Sequence, residues 1–271
     1  MANPILNEKK ATEVAAAPQA GWGAPDPATR ATPIDDGPVS PWKSAHATMT
    51  LGGTVTATGV LLVLLLGAST FGWLNTDTNE TGSWNLPAMA IVGVLVGFVC
   101  AIVVAFKPGL AKILGPIYAI AEGVFLGAIS AAYNSYQSGI VVQAVGATLG
   151  VFVVMLVLYS TRIIKVTNKF RRAIIFATIG LGVFYLVSMV FSLFGHTPSF
   201  ISDASGLGIA FSIFAAGLAS MNLLLDFDLI ERGTKEGWPK QMEWFCAFGL
   251  LITLVWLYLE LLRLLSKLQR N

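Results

Sequence analysis

Five acidic side chains stand in or beside apolar runs long enough to cross a bilayer: Glu122, Asp226, Asp228, Glu243 and Glu260. A charge at the centre of a membrane helix costs about 2.5 to 3.5 kcal/mol on insertion scales, so such residues mark ion or proton paths by default. Positions three and four apart share one helical face. Stepping back from Asp226 gives Asn222, Ala219, Ala215 and Ser212, a small and polar stripe suited to protein or water rather than lipid. Asp228 lies about 200° round the same helix. It stands above Leu224, Met221 and Gly217, and a solvated helix end beside Glu231 and Arg232 suits it better. Asp226 is therefore the preferred ion or proton site, with Asn222 and Asp228 as secondary candidates.

The same steps from Glu260 pass Trp256, Thr253, Gly249 and Cys246. Arg263 follows Glu260 by three positions, so a local ion pair that turns both outward competes evenly with a Glu260 that meets Asp226 across a bundle. Two carboxylates a few ångström apart do not both ionise easily and titrate as a coupled unit. Such a pair senses pH, and its oxygens suit Ca²⁺. Level matters as well: a turn centred near Lys235 puts Glu243 rather than Glu260 opposite Asp226. Glu243 thus stays a second choice of partner, against an interfacial position beside Trp238 and Trp244 in an aromatic belt. Glu122 stands in Ala121-Glu122-Gly123, with no Lys or Arg in the apolar parts of the first six runs to pair with it. Exposure to a water-filled cavity is favoured over a hydrogen bond to a neighbouring helix.

No other chemistry is visible. His46 and His196 are isolated, Cys100 and Cys246 sit in apolar runs without metal-ligand spacing, and there is no phosphate loop, HExxH or supported Ser/His/Asp arrangement. A non-enzyme without a resident cofactor is expected.

The elements that must hold these acids are membrane helices. The 271 residues are 55% hydrophobic and 12% charged, with a mean hydropathy of +0.71, against roughly 25% charged for soluble domains. Seven runs meet the membrane-helix template: 49–73, 87–106, 113–133, 139–159, 173–194, 208–230 and 244–268. An all-α, multi-pass bundle over residues 45–271 is expected, preceded by a disordered Ala- and Pro-rich tail over residues 1–44. No cleavable signal is visible before the first run, which is therefore expected to act as its own insertion signal.

Lys and Arg concentrate in alternate connections, at Lys107 and Lys112, at Arg162 to Arg172, and at Arg232 to Lys240. Basic loops stay in the cytoplasm, so the N-terminus is expected there, in an inner or plasma membrane. Seven crossings then put the C-terminus outside, against the bias of Arg263, Lys267 and Arg270. A re-entrant final segment is the alternative. Gly93 with Gly97, Gly123 with Gly127 and Gly146 with Gly150 share GxxxG spacing, expected to serve packing within one monomer before a dimer. A net charge of +2 without basic-aromatic runs argues against nucleic acid. The bilayer is the expected partner, and oligomeric state stays open.

The run Ala121-Glu122-Gly123-Val124-Phe125-Leu126-Gly127, the Asp226 helix and the ending Trp256-Leu257-Tyr258-Leu259-Glu260-Leu261-Leu262-Arg263 resemble the Bax inhibitor-1/YccA family, bacterial branch. The resemblance implies seven helices with the last surrounded by the others. It also implies a pH-dependent calcium leak controlled by an acidic pair at Asp226 and Glu260, with transient Ca²⁺ and no other cofactor. Glu260 stands where the family carries Asp. The run 87–106 lacks the arginine that pairs with the sixth-helix aspartate in the family, and the connection between the last two helices reads as long. The expected function is a pH-sensitive calcium or cation leak. The alternative is a non-transporting regulator that binds other membrane proteins, such as a membrane-bound ATP-dependent protease. A proton-coupled transporter is weaker, because no inverted repeat is visible.

Overall fold

In the computed structural model the described residues are 48–76, 87–193 and 204–270. The expected tail over residues 1–44, both histidines and most of the first acidic connection lie outside them. Seven helices fill the described residues: α1 (Leu51–Leu74), α2 (Ala88–Phe106), α3 (Ala111–Tyr136), α4 (Ile140–Ser160), α5 (Asn168–Leu193), α6 (Gly206–Lys235) and α7 (Met242–Arg270). Each of the seven is long and apolar enough to cross a membrane. The chain is a multi-pass membrane protein, since in hydrocarbon only helices or closed barrels satisfy every backbone N–H and C=O.

Local signals place the helix starts. Thr50 caps α1 by accepting from the Gly53 N–H, and Ser205 caps α6 by accepting from the Gly208 N–H. Gly139, at φ 83°, makes the left-handed turn into α4. The sixth helix runs a turn and more past the expected 230. Glu231 and Lys235 pair four residues apart at 2.5 Å and carry the helix on through the polar stretch. The connection to α7 is therefore only residues 236–241, with Gly237 at φ 66°. The long connection read from the sequence is in large part helix.

α7 occupies the centre. It packs on α1, α3, α4 and α6, and reaches α5 through the bond from the Tyr185 hydroxyl to Glu260. It is one continuous helix of 29 residues, about 43 Å at 1.5 Å per residue. A re-entrant final segment is thus ruled out. Two of the three charges that argued for it are taken up by the bundle: Lys267 is buried and donates to the Gly208 carbonyl (2.9 Å), and Arg263 pairs with Glu260, while Arg270 is exposed at the helix end.

The basic connections share one face. There Met49 donates to the Trp238 carbonyl (2.7 Å) and Thr48 bridges Pro239. At the opposite face, Gln137 donates to the Ser266 carbonyl and Gln269 to Gln143. α5 is peripheral, held to α6 by Ile174 and Leu181 against Ala215 and Leu218, while Phe176, Val183 and Met189 point outward as lipid-facing residues do.

The glycine pairs divide. Gly123 and Gly127 lie where a Cβ would strike the Leu65 and Ser69 carbonyls of α1, and Gly93 lies as close to the Ala121 carbonyl of α3. These are helix backbones in direct approach, as expected for packing within one chain. Gly146 and Gly150 face open space.

That contrast is testable. Gly127→Ala pushes a methyl into backbone that cannot rotate away, so it should cost about 1–3 kcal/mol. Gly146→Ala should stay within about 0.5 kcal/mol of the parent. Thermal unfolding of the detergent-solubilised proteins would show it, and equal midpoints for the two variants would refute the packing account.

Candidate functional site

Asp226 sits on α6 where that helix faces the middle of α7. The stripe read from the sequence is the buried one: Ser212, Ala215 and Ala219 are 0% exposed. Across from Asp226 lie the Thr253 hydroxyl, Cys246 and Gly249, whose missing side chain leaves 3.8 Å between an added Cβ and Asp226 Oδ1. The Thr253 hydroxyl donates to the Gly249 carbonyl (3.2 Å) and also lies within hydrogen-bonding reach of Asp226. Asp226 Oδ2 is buried and has no hydrogen-bond partner, and the same holds for Ser212 Oγ on the same stripe. Buried polar atoms are normally satisfied, and an orphan calls for water, an ion or a strained functional state. Two such orphans lie on one face of α6.

Neither expected partner meets Asp226. Because α6 ends at Lys235 and the connection centres beyond it, Asp226 lies level with Gly249 and Thr253, between Glu243 and Glu260. Glu243 is 4% exposed and works as a cap. Its Oε1 accepts from the Thr50 N–H (3.0 Å) and the Thr50 hydroxyl (2.9 Å), and Gly53 leaves room for the carboxylate.

Glu260 does lie on the α7 stripe of Gly249 and Thr253, but seven residues past Thr253, about 10 Å along the axis. It turns toward α5. Its Oε1 accepts from the Tyr185 hydroxyl (2.7 Å) and the Trp256 indole (3.2 Å), and its Oε2 pairs with Arg263 (3.1 Å). Of the two readings left open for Glu260, the geometry has the local ion pair, buried rather than turned to solvent. The two carboxylates expected to hold Ca²⁺ together are therefore apart, and no group of three or more His, Cys, Asp or Glu among the described residues is placed to hold a metal.

The remaining candidates separate cleanly. Glu122 lies on the α2 side of α3, with its Oε2 in the space that Gly97 leaves, away from Asp226. Asn222 turns to α5, donating to Thr178 Oγ1 and the Leu218 carbonyl (both 2.9 Å). Asp228 is at the basic face, bound to Arg171 (2.7 Å) and Arg232 (3.0 Å). Beside it, Glu231 accepts from the Tyr159 hydroxyl and pairs with Arg162 and Lys235. This network fastens the ends of α4, α5 and α6. Sequence reading missed Glu231 as its hub, although the Glu231–Lys235 spacing was the available signal.

Among the comparisons with known proteins, a family model described as Bax inhibitor 1 like matches residues 3–270. No curated protein matches the chain.

The Glu260–Arg263 pair has its own test. Breaking a buried pair by removing one partner strands the other charge, at about 3–5 kcal/mol. Arg263→Met should therefore destabilise the protein by an amount of that order, and Glu260→Gln combined with Arg263→Met should recover most of the loss. A double variant as unstable as Arg263→Met in chemical unfolding would show that the pair is not what holds this end of α7.

Proposed function

Because the chain belongs to the Bax inhibitor 1-like family, we propose that it forms a pH-sensitive pathway for calcium or another small cation, with Asp226 as its principal ion and proton site. The observation that carries this reading is the buried, unpartnered Oδ2 of Asp226, on the small-residue stripe that α6 turns toward the central helix. The other α6 and α7 carboxylates described above are engaged: Asp228 and Glu231 by arginines, Glu243 by Thr50 and Glu260 by Arg263.

Ca²⁺ takes six to eight oxygen ligands. Asp226 would supply one carboxylate, the Thr253 hydroxyl and waters further oxygens. A site with one carboxylate binds weakly, which suits conduction, since an ion must leave as readily as it enters. Ser212 stands farther along the same stripe, toward the start of α6, and would order water on the route. Glu260 is the second carboxylate of the route, outward on the shared α7 stripe, with its charge balanced by Arg263. Glu122 would serve a separate crevice beside α2.

The pH sense follows from the charge. Deprotonated Asp226 attracts the cation; protonation removes the charge, so flux falls as pH falls. Purified protein in vesicles loaded with a calcium indicator should show flux that declines toward acid. Asp226→Asn should lower flux at neutral pH several-fold and flatten the pH profile, while Asp228→Asn should keep the profile. Parental flux and pH dependence in Asp226→Asn would sink this assignment.

A further inference from the structure

A cavity of about 710 Å³ lies between α1 and α4, floored by α3 and α7. Its α1 wall runs from Thr58 to Leu74, about 24 Å at 1.5 Å per residue. That is most of a hydrocarbon core roughly 30 Å thick.

The hydroxyls in its wall are already engaged. Thr58 donates to the Thr54 carbonyl (2.9 Å), Ser69 to Leu66 (2.8 Å), Thr70 to Gly67 (2.7 Å) and Thr148 to Ala144 (2.7 Å). Ser130 and Tyr258 bond to each other at 2.6 Å. A held water needs two to four polar partners, and an apolar cavity of about 150 Å³ already stays dry and takes up benzene. This one is several times larger and elongated. Left empty, it would cost its walls their dispersion contacts.

The helices on either side of it are lipid-facing: Val63 of α1 is 70% exposed and Val153 of α4 is 54% exposed. The matter available to fill the cavity is therefore hydrocarbon. Trp73 and Val141 lie in its wall, near the end of α1 and the start of α4, at the face that carries the α3–α4 connection. Tryptophan favours the headgroup level. From these observations we infer that the space between α1 and α4 is a binding site for one bilayer phospholipid, whose tail descends from the Trp73 end and lies against Val255 and Tyr258 of the central helix.

This site is separate from the proposed ion route. On α7, Leu251 and Val255 are each about 160° from Thr253 at 100° per residue, so the lipid tail and Asp226 lie on opposite sides of one helix.

The test uses the full chain in vesicles of phosphatidylcholine and phosphatidylglycerol doped with a phosphatidylcholine that carries a diazirine in its tail. After irradiation, mass spectrometry maps the adducts. Labels are expected on Val255, which is 6% exposed, and on Tyr258 in the cavity wall, as well as on outward residues such as Phe176. Val145→Trp, placed in the cavity wall, should cut the Val255 and Tyr258 labels several-fold and leave Phe176 unchanged. Adducts confined to outward residues, undiminished floor labels in Val145→Trp, or floor labels obtained only with a free diazirine fatty acid would each overturn the assignment.

Discussion

A polar group in hydrocarbon must find a partner in the protein, and α7 carries more of them than any helix could show to lipid. Each is answered by a different neighbour. Glu243 holds Thr50 at the start of α1, Tyr258 holds Ser130 of α3, and Gln269 holds Gln143 of α4. Glu260 holds Tyr185 of α5, and Lys267 holds the Gly208 carbonyl of α6. Five ties fix five helices to one, which is why α7 must be central. α2 is attached differently, by backbone approach at Gly93 to Ala121 of α3.

Against that background the acids sort by whether they are answered. A buried charge pair adds little net stability but is costly to break. Glu260 is answered by Arg263 and Tyr185, and Asp228 at the basic face by Arg171 and Arg232. Asp226 is different because its Oδ2 is buried without a hydrogen-bond partner and the small residues around it do not fill its surroundings with apolar bulk. A structural role would be served more cheaply by Asn or Leu at this position. An unpartnered carboxylate oxygen beside Gly249 and Thr253 sets Asp226 apart from the acids held by arginines or by a capped helix start.

Much of this was legible in the sequence, and the rest was hidden for definite reasons. Seven spans follow from apolar runs, and the inward face of α6 follows from the 3.6-residue period that lines up Ser212, Ala215, Ala219 and Asp226. What period cannot supply is level. The partner opposite Asp226 depends on where α6 stops, and that stop is set by Glu231 and Lys235 extending the helix past its apolar part. Misjudging it by a turn exchanges Gly249 and Thr253 for Glu243. Likewise, Gly123 with Gly127 and Gly146 with Gly150 are the same motif in sequence. Only the approach of α1 to α3 decides that the first is filled by backbone and the second is open.

The distribution of ties along α7 also bears on where the molecule can move. Glu243 fixes the helix at one end, and Tyr258, Glu260, Lys267 and Gln269 fix it toward the other. Between them, Gly249 and Thr253 bond to each other along the helix, and Leu251 and Val255 meet their neighbours through apolar contact. Apolar contacts are non-directional, so a small rotation or bend of these turns gives up less than sliding the whole helix, which would break several polar ties together. The turns of α7 with the fewest polar ties to other helices are thus the ones that have Asp226 on one side and the cavity on the other.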